Sequence, residues 1–281
     1  MHEITDTDRL AALCADDSLL LWAAQGLTRR VGGTSRAWTL DGAVAVAAPD
    51  LSGRDRIALR AADPAASPAG PAASPAVVAL LRQVLAEVGP SYRPIGEPGV
   101  VVAAVAALPG LRPTSPFSWM ERTAAEAPLP TGRASRLDPA DGPAVAELLD
   151  FAFPDSHAHP DRPGAEQWVG VRGAERELLA VAALAWSAPT VGLLAGVAVH
   201  PSARGRGLAA QVSGHAVREA LAVHGRVALL VNDDNAAAIR LYQGLGLRRR
   251  PLAAAAFAPA SPELSPEFSP AGIHPVLTDR G

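Results

Sequence analysis

The sequence predicts an α/β protein in which helices flank a mixed, mostly antiparallel twisted sheet, arranged in two halves. Three observations predict it. From Leu193 to Leu247 the chain reads strand, glycine- and arginine-rich loop, helix, strand, helix. Leu178 to Val199 carries no charge over 22 residues, but Ser187-Ala188-Pro189-Thr190 divides it into two strand lengths. That is the pattern of a buried hairpin rather than of a membrane span. In the first third, Asp41-Gly42 stands between the apolar runs Trp38–Leu40 and Ala43–Ala48, a strong hairpin signal.

The elements follow in order. Thr5 to Cys14 has helical spacing through Leu10 and Leu13, and Ser18–Trp22 extends it or begins another apolar element. Arg56–Arg60 reads as a third strand, and Asp63 to Pro75, rich in Pro, Ala, Ser and Gly, as an exposed loop. Ala76–Val88 is a predicted helix with Val77, Leu80, Leu81, Val84, Leu85 and Val88 on one side. Tyr92–Ile95 is extended, Val100–Leu108 a short apolar helix, and Pro116–Met120 a strand. Residues 126–134 form a linker. Beyond it come a strand at Ser135–Leu137, a helix at Pro139–Phe151, a loop at Phe153–Gly164 and strands at Gln167–Val171, Leu178–Trp186 and Thr190–Val199. The tail, 258–281, repeats Ser-Pro three times and is predicted to be mobile.

The loop after Val199 carries the chemistry. His200-Pro201 stops the strand, and Leu208, Val212, Ala216 and Ala220 then recur at helical spacing, with Val217 and Leu221 beside them. Gly205 and Gly207 remove side chains where a backbone must approach a ligand, just before a helix start that offers unpaired N–H groups. Arg204 and Arg206 add cationic forks suited to phosphate oxygens. A Walker loop needs a lysine, and all 25 basic residues here are arginines. A dinucleotide fingerprint needs a third glycine where this chain has only alanines.

The spacing Arg204-x-x-Gly207-x-Ala209 resembles the acetyl-coenzyme A signature of the GCN5-related N-acetyltransferase (GNAT) family. The resemblance continues through the strand Val227–Val231, then Asn232 and Asn235, Ala238, Leu241-Tyr242 and Gly246-Leu247, with Leu247 where Phe is usual. It covers about Ala134 to Phe257. It implies the family's acyl-CoA acyltransferase fold over a catalytic domain at 135–257, with acetyl-CoA as co-substrate and an amine as acceptor. Residues 1–125, whose order of hairpin, strand and helix echoes the second half, then read as a degenerate copy that binds no second acetyl-CoA. A separate small α/β domain is the alternative.

The resemblance also implies residue roles. The loop Arg204, Gly205, Arg206, Gly207, Leu208 and Ala209 holds the pyrophosphate, and the strand edge at Val197 and Val199 pairs with the pantetheine arm. Gly196 marks an expected bulge. Asn235 contacts the coenzyme or caps its helix. Tyr242, two helical turns after Asn235, is the expected general acid, with a core tyrosine as the plain alternative. The strand lacks the Glu that many members use as base, which leaves His157, His159 and Asp155, or a neutral amine, to fill that part. His157-x-His159 alone is a weak metal signal, and no metal is expected.

Composition bounds the rest. A net charge of −3 and pI near 6.2 give no electrostatic grip on nucleic acid. One cysteine, Cys14, excludes an internal disulfide. Met1–Asp17 shows no signal-peptide pattern, so a cytoplasmic location is expected; the absence of lysine with abundant Ala, Arg, Pro and Gly suggests a bacterial, GC-rich gene. The sequence leaves the acceptor open among small amine, amino acid, antibiotic and protein N-terminus, and the oligomeric state open, a homodimer included. A non-catalytic coenzyme A-binding or scaffolding protein is the competing function, and a nucleotide-binding regulatory module a third.

Overall fold

A computed structural model describes residues 1–27, 34–62, 75–124, 129 and 132–258. Within them the chain forms two compact units, one comprising Met1–Pro116, Ala188–Thr190 and 251–258, the other Phe117–Ser187 and Val191–Arg250.

In the first unit, Asp41 and Gly42 take positive φ of 47° and 81° and join β2 (Arg36–Leu40) to β3 (Ala43–Ala48) as a tight hairpin. β1 (His2–Ile4) pairs antiparallel with β2, and β4 (Arg56–Arg60) antiparallel with β3. Helix α3 (Pro75–Val88) then crosses to β5 (Arg93–Gly96), which is parallel to β4. α3 buries Val77, Leu80, Leu81 and Val84 against the sheet, while Leu85 and Val88 only flank the core. Short helices α1 (Thr7–Leu13) and α2 (Ser18–Ala23) precede the hairpin; α4 (Pro98–Ala107) and β6 (Leu111–Pro113) follow β5. β13 (Arg248–Phe257) pairs antiparallel with β5 and β6. The sequence gives no sign of β1 or β6, because three residues are too few to show a period.

The second unit repeats this topology. β8 (Ser135–Arg136), β9 (Ala165–Arg172), β10 (Leu178–Ala185) and β11 (Gly192–Val199) run antiparallel, each beside the next. Helix α6 (Leu208–His224) crosses to β12 (Arg226–Asn232), parallel to β11. Helix α5 (Gly142–Ala152) covers one face of this sheet with Val145, Leu148 and Leu149. On the other face α6 packs Leu208, Val212, Ala216, Val217 and Ala220 with Tyr242 of α7 (Ala236–Gly244).

The expected boundary at 126–134 does not coincide with the division between the units. β7 (Phe117–Thr123) lies upstream of it, yet pairs with β12 along seven residues, from Arg226↔Thr123 to Asn232↔Phe117. The apolar pattern of Phe117–Met120 reveals a strand but not its partner. Most of the expected loop at 63–75, most of the linker and nearly all of the tail lie outside the described residues. Among those described, no helix is long and apolar enough to cross a membrane.

Candidate functional site

The site forms where β11 leaves β12. Their parallel register holds at Gly192↔Val227 and Leu193↔Ala228 and extends no further among the described residues. On its other edge β12 stays paired with β7 as far as Asn232. β11 is bent by a bulge: Val181 pairs with Ala198 and Ala183 with Ala195, so Gly196 and Val197 together oppose Ala182. Gly196 has φ +57°, and a β-carbon there would stand 3.0 Å from Trp168 Cη2 and 3.1 Å from Ala158 Cβ. Only glycine meets both demands. The bulge shifts the side-chain phase, so that Ala195 faces Trp168 while Val197 and Val199 point into the α6 core. Past Leu193 a wedge opens between β11 and β12, and the edge of β11 that faces β12 has no strand partner there among the described residues.

The expected cradle follows directly. Pro201–Ala203 makes one 3-10 turn ending at Arg204, and Gly205 and Gly207 take φ of +76° and +71°. No atom lies within 4 Å of a β-carbon built on either glycine, so the backbone there is open to approach. Gly207 is the left-handed N-cap of α6 and has no side-chain cap. The N–H groups of residues 205–210 have no acceptor among the described residues. Six donors at the positive end of a 17-residue helix make a site for an anion. Arg206 is exposed; Arg204 is half-buried, with its Nε buried and lacking a hydrogen-bond partner. Leu208 is buried and anchors the first turn, and Ala209 is half-exposed beside it. These groups fit a diphosphate.

Asn235 is the N-cap of α7, its side-chain oxygen accepting the Ala238 N–H at 3.0 Å. Of the two roles expected for it, capping is observed. Tyr242, two residues beyond the middle of that helix, is 1% exposed and shares an apolar cluster with Val197 and Val199. Burial pushes its hydroxyl well above the usual phenol range. It is therefore a proton holder at any ordinary pH.

The base candidates separate. His159 is buried: its Nδ1 accepts the Asp161 N–H at 3.2 Å, and its Nε2 lies 3.5 Å from Asp150 Oδ1. Together with Ser156 Oγ, which donates to Ala158 O at 2.8 Å, it fastens the 153–164 loop. His157 is half-buried and Asp155 exposed on the same loop. Among the described residues no group of three or more His, Cys, Asp or Glu could hold a metal ion.

Three features escaped the sequence. Trp168 and Ala158 press on the bulge; the only signal was a glycine inside an apolar strand. Arg122 reaches from β7 to the end of α7, donating to Leu245 O. At the end of β12, Ser118 Oγ donates to Asp233 Oδ1 at 2.6 Å, and Arg249 binds both, at 2.8 Å each. A cavity of about 310 Å³ opens beside Trp168.

Comparison with known proteins agrees with this geometry. Residues 140–247 match the acetyltransferase (GNAT) family. No curated protein sequence matches the chain. A GCN5-related N-acetyltransferase from Kribbella flavida is 18% identical, over 92% of this chain and 97% of that one, with a TM-score of 0.57. One from Sphaerobacter thermophilus is 17% identical, over 88% and 89%, with a TM-score of 0.53. Both likenesses run along nearly the whole chain and show the fold. With the family match centred on the wedge and cradle, the chain carries an acetyltransferase domain of the GNAT family at residues 140–247.

Proposed function

We propose that the second unit transfers an acetyl group, or another short acyl group, from coenzyme A to a primary amine. The observation that carries this reading is the wedge: β11 parts from β12 after Leu193, bulges at Gly196, and leads straight into the N–H cradle at 205–210. A pyrophosphate on the cradle directs a pantetheine arm along the free edge of β11 past Val199 and Val197. Edge N–H groups at the bulge donate to the carbonyl oxygen as it gains charge, an effect worth a few kcal/mol in enzymes of this type.

The amine attacks the thioester carbon, the carbon–sulfur bond breaks, and the sulfur leaves with the bonding pair. Tyr242 serves this step as the hydroxyl donor to the departing thiolate, whose ordinary pKa is near 8.5; water takes the proton that the attacking nitrogen sheds and restores the one Tyr242 gives. Its place in the apolar cluster with Val197, on the strand the pantetheine arm would follow, supports the role.

Release of free thiol from acetyl-CoA on adding an amine tests the reading. Tyr242→Phe should lower kcat by about a hundredfold with little change in acetyl-CoA affinity. Equal loss of both would assign Tyr242 to packing alone. Coenzyme binding without thiol release from any amine would favour a non-catalytic coenzyme A-binding protein.

A further inference from the structure

The cradle is reached from β11 through one turn, and one side chain holds that turn. His200 is the N-cap of Pro201–Ala203: its Nδ1 accepts the Ser202 N–H at 3.3 Å and lies 2.8 Å from Ser202 Oγ. Its main chain is tied on both sides, the N–H donating to Leu179 O of β10 at 2.8 Å and the carbonyl accepting the Ala203 N–H at 2.8 Å. Among the described residues, the loop from His200 to Gly207 has no side-chain hydrogen bond besides those between His200 and Ser202. The ring of Phe151, from α5, stacks on the imidazole with centroids 5.3 Å apart and planes inclined by 30°. Phe151 is 64% exposed, off the face of α5 that buries Val145, Leu148, Leu149 and Ala152. Both rings line a cavity of about 570 Å³ whose charged groups are Glu147 of α5 and Arg172, Arg176 and Glu177 around the β9–β10 turn. Arg172 is paired there with Asp141 at 2.5 Å.

We propose that His200 is a positioning residue of the cradle: it holds the Pro201–Ala203 turn closed, so that Arg204 and the N–H groups at 205–210 stand in place before a diphosphate arrives. This rests on the reading of the cradle as the coenzyme site. An N-cap gives an acceptor to an N–H that the turn itself cannot satisfy. Beyond the turn come Gly205 and Gly207, both at positive φ with open space around them, so the direction of the loop is set upstream of them. A loop with two glycines has much freedom to lose on binding, and a tether that removes part of it beforehand raises affinity without touching the ligand. The Phe151 stack keeps the imidazole from turning away. The tether works in one protonation state. Nδ1 accepts only while it carries no proton; once protonated it turns a second N–H toward that of Ser202, and the cap is lost. Glu147, Glu177, Arg172 and Arg176 face the ring from α5 and the strand turn, and Arg204 and Arg206 follow it on its own loop.

Calorimetric titration of the intact protein with acetyl-CoA tests the proposal. His200→Ala should weaken binding about fivefold, the size of a lost N-cap. His200→Asn, which keeps a capping oxygen but no ring, should recover most of the affinity. Phe151→Ala should weaken binding about threefold, the size of a lost ring stack. The pH profile separates positioning from packing. From about pH 8 to about pH 5 the unsubstituted protein should lose affinity relative to His200→Asn, because only the imidazole gains a proton at this position; the comparison cancels the coenzyme's own titration. Unchanged affinity in His200→Ala would overturn the proposal. So would an Asn variant as weak as the Ala variant, which would reduce His200 to packing, or a relative gain of affinity on acidification, which would make it a phosphate contact. The two readings fail distinguishably. Affinity lost in Gly207→Val yet intact in His200→Ala would keep the cradle and sink the positioning role. No binding by the unsubstituted protein would sink both.

Discussion

Arg122 Nη1 donates a 2.5 Å hydrogen bond to the carbonyl oxygen of Leu245, 123 residues downstream. Leu245 is the C-cap of α7, where the helix dipole is negative and a carbonyl lacks its intrahelical donor. Arg122 is 5% exposed, so a cation from β7 fixes the end of the helix that carries Tyr242. Arg122→Ala should destabilise the fold by about 3 kcal/mol, since it strips a buried carbonyl of a charged donor. Thermal melting checks this, with Arg122→Lys recovering part of the loss.

β7 also covers the whole outer edge of β12. A chain beginning at residue 134, which keeps the entire family match, should therefore fail to fold and should aggregate through that open edge. Soluble expression and circular dichroism decide. A cooperative melt from the truncated chain would show that β12 does not need its upstream partner.

The elements of the fold were largely legible, because each is written in local pattern: Asp41-Gly42 for the hairpin, the four-residue recurrence for α6. The cradle was legible too, since Gly205, Gly207 and the helix start are contiguous. Long-range pairing was not. Nothing in Phe117–Thr123 says that it belongs beside Arg226–Asn232, and nothing near Trp168 says that its ring crosses two strands. Gly196 did hint at a close approach, but a missing side chain does not name its neighbour. His159 looked like chemistry; it is buried, and its Nδ1 accepts the Asp161 N–H of its own loop.

At the bulge, Gly196→Val would set a branched side chain at φ +57° against Trp168 and Ala158. The strain alone costs on the order of 1–3 kcal/mol, and the wedge should widen or close. Melting temperature should fall, and acetyl-CoA affinity with it. A variant with full stability and full affinity would show that the bulge is incidental.

Alkaline pH should weaken the fold in two steps. Burial raises the Cys14 thiol in the folded chain and raises the Tyr242 hydroxyl far more. Below their unfolded pKa values, about 8.5 and 10, both states hold these protons and stability is unaffected. Above them the unfolded chain gives its protons up while the folded chain keeps them, so stability falls as pH rises. Tyr242→Phe should remove the upper part of this decline and Cys14→Ser the lower part. Urea unfolding between pH 7 and 11 tests it.

At the cradle, Arg206→Ala should leave stability unchanged, because the side chain is exposed, and should weaken acetyl-CoA binding more at low salt than at high salt. Gly207→Val should act through the backbone: with φ +71° and open space around it, the substitution disturbs the turn rather than a neighbour. Acetyl-CoA affinity should drop at least about tenfold.

The most direct test of the central claim is a calorimetric titration of the intact protein with acetyl-CoA, repeated on Gly207→Val. One equivalent bound in the micromolar range, lost in the variant, is the expected result. No binding, or binding that Gly207→Val leaves untouched, would contradict the wedge and cradle as the coenzyme site; two equivalents would contradict a single site in the second unit.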